Sequence, residues 1–307
     1  MKQQIQHKKK FPVLLQREGA PHVMLLLPVL LVFVYRYLPM PGILLAFNSY
    51  KPRLGIFGSP WVGLDNFRLL LGMSGFIASI KNTLIIASGK IIMGILVPVC
   101  FSLMLNEINQ PPLKRVIQTI VYLPHFISWV LLAGIITRIL NPYGVVNQFL
   151  ITMGMEPHIF LADKKIFPGL MVFLDVWKGF GYGSIVYLAA ITGIDPNLYE
   201  AASIDGAGRW RQTIHITLPG LAPMIVLMTT LSLGSILDGG FDQIFNLYSP
   251  VVLSTGDIID TFLYRMAFEN AQFSISTAAG LFKSAIGCFL IVLSYKLAYK
   301  LTGYRVF

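Results

Sequence analysis

Twenty consecutive residues from Leu218 to Leu237 carry no ionisable side chain. A helix of that length spans the hydrocarbon core of a bilayer, and inside that core only helices and closed barrels can satisfy every backbone polar group. Apolar runs of similar length recur along the chain. Only 12% of its 307 residues are charged and 55% are hydrophobic, whereas a soluble domain carries about 25% charged residues. The chain therefore reads as an all-α membrane protein, and its net charge of +10 is a matter of topology rather than of nucleic-acid binding.

Six spans are expected. The first runs over 23–47 as an uncleaved span kinked near Pro39 and Pro41, since no small-x-small cleavage site follows the apolar run. Arg36 falls late in it, to snorkel or to face the bundle. Trp61 to Leu71 reads as a short interfacial helix with Trp61 and Phe67 at headgroup level. The second span covers 76–105, with Asn82 and Thr83 near one end and Pro98 inside. The third covers 116–140 with Pro124 inside, and 141–167 reads as a loop. The fourth, 167–194, carries Asp175, Trp177, Lys178, Ser184, Tyr182 and Tyr187. The fifth covers 218–237, and the sixth, 276–297, follows a long stretch over 238–275. Cys100 and Cys288 sit in apolar runs and read as small buried hydrophobes.

Lys and Arg set the orientation. With the N-terminus inside, twelve fall on the cytoplasmic side: five in the tail (Lys2, Lys8, Lys9, Lys10, Arg17), then Lys114, Arg115, Arg209, Arg211, Lys296, Lys300 and Arg305. Six fall outside: Lys51, Arg53, Arg68, Lys164, Lys165 and Arg265. This excess predicts both termini in the cytoplasm and the 195–219 loop with them. The chain divides into a basic cytoplasmic tail, 1–22, and a six-span domain, 23–307.

The 195–219 loop, DPNLYEAASIDGAGRWRQTIHITLP, is the longest polar interval between two apolar spans of the C-terminal half. Asp195 followed by Pro196 predicts a helix start, and Gly206 with Gly208 a break before Arg209, Trp210 and Arg211 on a second short helix. Glu200, Ala201 and Ala202, Gly206 after three further residues, and Ile216, Leu218 and Pro219 after nine more resemble the EAA motif of ABC-importer permeases at every fixed position. VGLDNF near residue 64, the Asn82-Thr83 pair, FDQIFNLY, TGDIIDTFLYR and TAAGLFKS extend the likeness over roughly 20–305. They resemble most the carbohydrate-uptake permeases associated with complex oligosaccharides and polysaccharide fragments.

That resemblance implies a type I ABC-importer permease fold in the bacterial cell membrane. It implies a second homologous permease, two ATPase subunits, and an extracytoplasmic binding protein that delivers a sugar or oligosaccharide. ATP and Mg would be bound by the ATPases, with no cofactor, metal or covalent chemistry on this chain. Glu200, Ala201, Ala202, Asp205, Gly206, Arg209 and Pro219 would then form the ATPase-coupling loop, its small residues permitting close helix approach.

Asp175, Lys178 and Tyr182 stand at i, i+3 and i+7 on one helix face, with Asp175 the nearest partner for Lys178. They read either as a salt bridge that merely neutralises charge or as one wall of a sugar path, to which Trp177 adds an aromatic face. Asp238, Asp242, Gln243 and Asn246 read either as a solvated loop or as the outer part of that path, and Asn82 as a further candidate. Gly179 and Gly183 form a small-xxx-small packing pair rather than a nucleotide loop, and no Walker A sequence occurs. His7, His22, His125, His158 and His215 have no metal-ligand spacing. A secondary transporter would need repeats around an ion site, and a membrane enzyme convergent catalytic groups. Neither is visible.

Overall fold

A computed structural model describes residues 24–302, with side chains to 296. The basic tail 1–22 and the residues Lys300 and Arg305 of the C-terminal tail lie outside the residues whose side chains are described. Among the described residues every element is helical apart from one isolated bridge, Asn48 to Trp61. In chain order the elements that matter are α1 (Met24–Phe47), α2 (Asp65–Gly72), α3 (Ser74–Asn106), α4 (Pro111–Tyr122), α5 (Trp129–Leu140) and α6 (Val145–Thr152). They are followed by α7 (Phe167–Thr192), α8 (Pro196–Ile204), α9 (Arg209–Gly234), α10 (Phe241–Leu247), α11 (Ile259–Tyr264) and α12 (Phe273–Thr302).

Among the described residues, five helical stretches are long and apolar enough to cross a membrane: Met24–Phe47, Ser74–Asn106, Trp129–Thr152, Arg209–Gly234 and Phe273–Lys296. The helix α7 is also long, with 26 residues. Asp175, Lys178 and its tyrosines make it too polar to stand with the other five on composition.

Two expected boundaries move for identifiable reasons. The third span is not one helix. Pro124 lacks an N–H, so α4 ends at Tyr122 and a 3-10 turn, Leu123–Phe126, follows. Ile127 is extended, and the Ser128 hydroxyl then caps α5 by accepting from the Leu131 N–H at 3.4 Å. The apolar stretch shifts to Trp129–Thr152, so α6 occupies the start of what reads as a loop. The fifth span begins earlier than Leu218. The short helix Arg209–Gln212 continues into it through a π-helical turn, Thr213–Thr217, closed by the Leu218 N–H on the Thr213 carbonyl.

Apolar packing gathers in separate places. Near the 195–219 loop, Val99, Tyr187, Ile191 and Leu221 join α3, α7 and α9. Towards the opposite end, Ile86, Leu132, Ile136, Phe167, Met171 and Leu174 pack against Ile244, Leu247 and Ile258. The 238–275 stretch is thus partly core rather than a solvated loop. A third cluster, with Leu70, Phe76, Phe262 and Ala278, holds the end of α1 against α12.

Of the packing glycines, Gly181 rather than Gly179 makes the close approach. A Cβ on Gly181 would lie 2.3 Å from the Val121 carbonyl oxygen, whereas one on Gly179 would meet nothing within 4 Å. Cys100 and Cys288 are exposed on this chain, contrary to the buried position expected of them. An apolar run in a bilayer protein presents one side to lipid or to another subunit, so apolar sequence alone does not place a thiol in the core.

Candidate functional site

The 195–219 loop is a helix–turn–helix built from its own sequence. Asp195 accepts from the Asn197 N–H at 3.0 Å, and Pro196 occupies the first helical position of α8. The chain reverses at Gly206, whose φ of +77° favours glycine. Gln212 then donates to the Ser203 hydroxyl at 2.9 Å and to the Ala207 carbonyl at 3.1 Å, which ties the second helix to the first. The Tyr199 and Thr217 hydroxyls meet at 2.9 Å. Arg209 donates to Glu107 at the foot of α3, at 2.8 Å.

This arrangement is anchored on one side and bare on the other. Glu200, Ala201, Asp205, Gly206, Arg209 and Pro219 are exposed, and Ala202 is half-buried. Around them stand large apolar side chains, with Ile204 88% and Trp210 75% exposed. The turn is thus internally hydrogen-bonded and rooted in a long helix, and it exposes a tryptophan and an isoleucine together.

The second feature is a polar cavity of about 290 Å³ among α3, α7 and the end of α9, lined by Lys90, Asp175, Ser232, Ser235 and Asp238. The Lys90 ammonium donates to the Gln243 side-chain oxygen at 2.5 Å and to the Gly239 carbonyl at 2.9 Å, and lies 3.5 Å from Asp175. Gln243, fully buried, donates in turn to the Met171 carbonyl at 2.8 Å. Lys283 donates to Asp238 and Asp260, each at 2.6 Å. The cavity therefore brings together Asp175 and Asp238 from separate segments, and Lys90 links Gln243 to it from behind the lining.

The expected pairing of Asp175 with Lys178 does not form. Lys90 comes from α3, the helix packed most extensively on α7, and takes Asp175. Lys178 turns to the break in the third span, where the interrupted helix leaves a carbonyl free. It donates to the His125 carbonyl at 2.8 Å and lies over the Trp129 ring at 5.5 Å. Tyr182 stacks on the His125 ring, with centroids 4.0 Å apart and planes 2° from parallel.

Other expected residues lie apart. Trp177 lines an apolar groove with Met93, Val97, Phe173 and Phe180. Asn82 is buried and donates to the Ser254 and Asp257 carbonyls at 3.2 and 3.1 Å, fastening the segment before α11. Asn246 donates to the Asp242 carbonyl at 2.7 Å on α10, and Asp242 is exposed. Among the described residues no group of three His, Cys, Asp or Glu side chains is disposed to hold a metal. Lys90, Lys283 and His125 escaped the sequence reading. For the two lysines a signal existed, since an ionisable side chain inside an apolar span is a candidate by position alone.

Comparison with known proteins gives one answer at several levels. Residues 90–302 match the family described as binding-protein-dependent transport system inner membrane component. The polygalacturonan/rhamnogalacturonan transport system permease protein YteP of Bacillus subtilis (strain 168) is 37% identical over 294 residues, 95% of this chain and 92% of the relative. Protein LplB of the same organism is 40% identical over 270 residues, 87% of this chain and 85% of the relative. A solved bacterial alginate ABC transporter, in complex with alginate pentasaccharide-bound periplasmic protein, contains a chain that superposes with a TM-score of 0.87 at 35% identity. That match covers 97% of this chain and 100% of the other. With a family match over most of its length, the EAA-type loop exposed and the spans helical, the chain belongs to the inner membrane components of binding-protein-dependent transport systems.

Proposed function

We propose that the chain is a permease subunit of an ATP-driven ABC importer in a bacterial cell membrane, and that it forms part of the path for an oligosaccharide. In this reading α7 is the sixth crossing, both termini and the 195–219 loop face the cytoplasm, and residues 23–307 form the membrane domain. A second, homologous permease completes the path. Two ATPase subunits bind ATP and Mg, and one docks on this loop. An extracytoplasmic binding protein delivers the solute. ATP binding shifts the pair of permeases between inward-facing and outward-facing arrangements, so the chain itself carries no catalytic chemistry.

The observation that supports this most is the exposed helix–turn–helix with Trp210 and Ile204 uncovered beside Glu200, in helical continuity with a span. A displacement of the turn then moves α9 directly. The names of the similar permeases, which include polygalacturonan and alginate transport, support a polysaccharide fragment as solute.

Glu200→Lys should leave the protein folded in the membrane, weaken co-purification of the ATPase, and lower uptake by about tenfold, the scale of one mismatched interfacial charge. Uptake and ATPase recovery at wild-type levels would remove the docking assignment.

A further inference from the structure

We propose that Lys178 reads the carboxylate of an anionic, uronate-containing oligosaccharide while the sugar ring rests on Tyr182. The proposal deepens the reading of the chain as an oligosaccharide permease, and rests on it. Among the described residues, the lysines set inside the bundle differ in their partners. Lys90 lies beside Asp175, with Gln243 as acceptor, and Lys283 holds Asp238 and Asp260. Among the described residues Lys178 has no carboxylate partner; its acceptor is the one carbonyl of His125. An ammonium has three donors and a full charge, so one carbonyl and the Trp129 face leave most of its requirement unmet. Such a group in an apolar span is costly unless something compensates it, and an incoming carboxylate does so with a charge-assisted hydrogen bond.

The surroundings fit the remainder of the same ligand. Tyr182 stands one helical turn from Lys178 on the same face of α7 and is 46% exposed. Its ring is held flat by the His125 stack at 4.0 Å and by the Phe126 edge at 6.1 Å. A fixed aromatic face accepts the C–H face of a pyranose ring. One turn rises about 5.4 Å, which suits a uronate, whose carboxylate is carried directly on the ring. The same 3-10 turn, Leu123–Phe126, supplies both the His125 carbonyl that aims Lys178 and the His125 ring that levels Tyr182. Asp175, one turn earlier on α7, does not cancel this charge, because Lys90 lies against it at 3.5 Å.

The test uses the complete complex in proteoliposomes with its binding protein. The probes are oligogalacturonate and the same oligomer with every carboxylate reduced to an alcohol. Each is used at a concentration that saturates the binding protein, set by calorimetry on that protein alone. Wild type should import the uronate oligomer. Lys178→Gln should lower its uptake about tenfold more than uptake of the reduced oligomer, the worth of one charge-assisted bond. Lys178→Arg should retain the preference. The proposal is overturned by equal losses for both oligomers in Lys178→Gln, which mark a role in holding the broken span, or by wild-type import of the reduced oligomer alone. Import of neither oligomer overturns it as well. Whether the importer reading then also falls is decided separately, by recovery of the ATPase with wild type and its loss with Glu200→Lys.

Discussion

Taking away the Lys90 ammonium would leave Gln243 without its donor and Asp175 without its counter-charge inside the bundle. Lys90→Met should therefore destabilise the protein by about 2 kcal/mol, less than a fully buried pair because the Asp175 carboxylate is more than a third exposed. Thermal unfolding in detergent measures this as a lowered midpoint. Adding Asp175→Asn should recover part of the loss, since it removes the stranded charge, and a simple sum of the two single effects would mean that the pair is not coupled. The polar types were legible in the sequence: Asp175 and Asp238 line one cavity, and Gln243 joins it through Lys90. Their partners were not. Helical spacing relates Asp175 to Lys178, three residues apart on one helix face, but it is silent on which helix lies opposite. Lys90 wins because packing of α3 on α7 brings it there, and that is a tertiary fact.

At the scale of elements, the loop was read with little loss because its signals are local. Asp195, Pro196 and Gly206 each act on their own backbone, and the structure places a helix start and a left-handed turn where they stand. The third span departs from the sequence expectation because Pro124 does more than kink the chain; it ends one helix and leaves an extended residue before the next. Nor does hydropathy alone mark the union, within α9, of the short helix Arg209–Gln212 with the apolar span, since a π-turn has no compositional signature. That turn has a testable consequence. Inserting one alanine beside Ile214 would add a residue to a turn, Thr213–Thr217, that already holds one more than an α-turn, and swing Trp210 about 100° around α9, the rotation per residue of a helix. Folding and membrane insertion should survive, while ATP hydrolysis should no longer drive uptake. Normal coupling in the insertion variant would show that the phase between turn and span is irrelevant.

Across the whole molecule, apolar packing is concentrated at the two ends of the bundle, and the ion-pair layer of Lys90, Asp175, Asp238 and Lys283 lies between them. The layer has fewer apolar contacts to lose, so local opening should be easiest there. Hydrogen exchange in a membrane mimic should show the amides around Ser232 to Gly240 exchanging faster than those around Ile86 or Leu221. Uniform protection along α9 into that segment would contradict this. A rearrangement confined to the layer would swap ionic partners and leave both apolar clusters intact. Because heat capacity follows the exposure of apolar surface, such a switch would proceed with almost no change in heat capacity. Its equilibrium would then follow a nearly straight van't Hoff line and respond to ionic strength far more than to temperature.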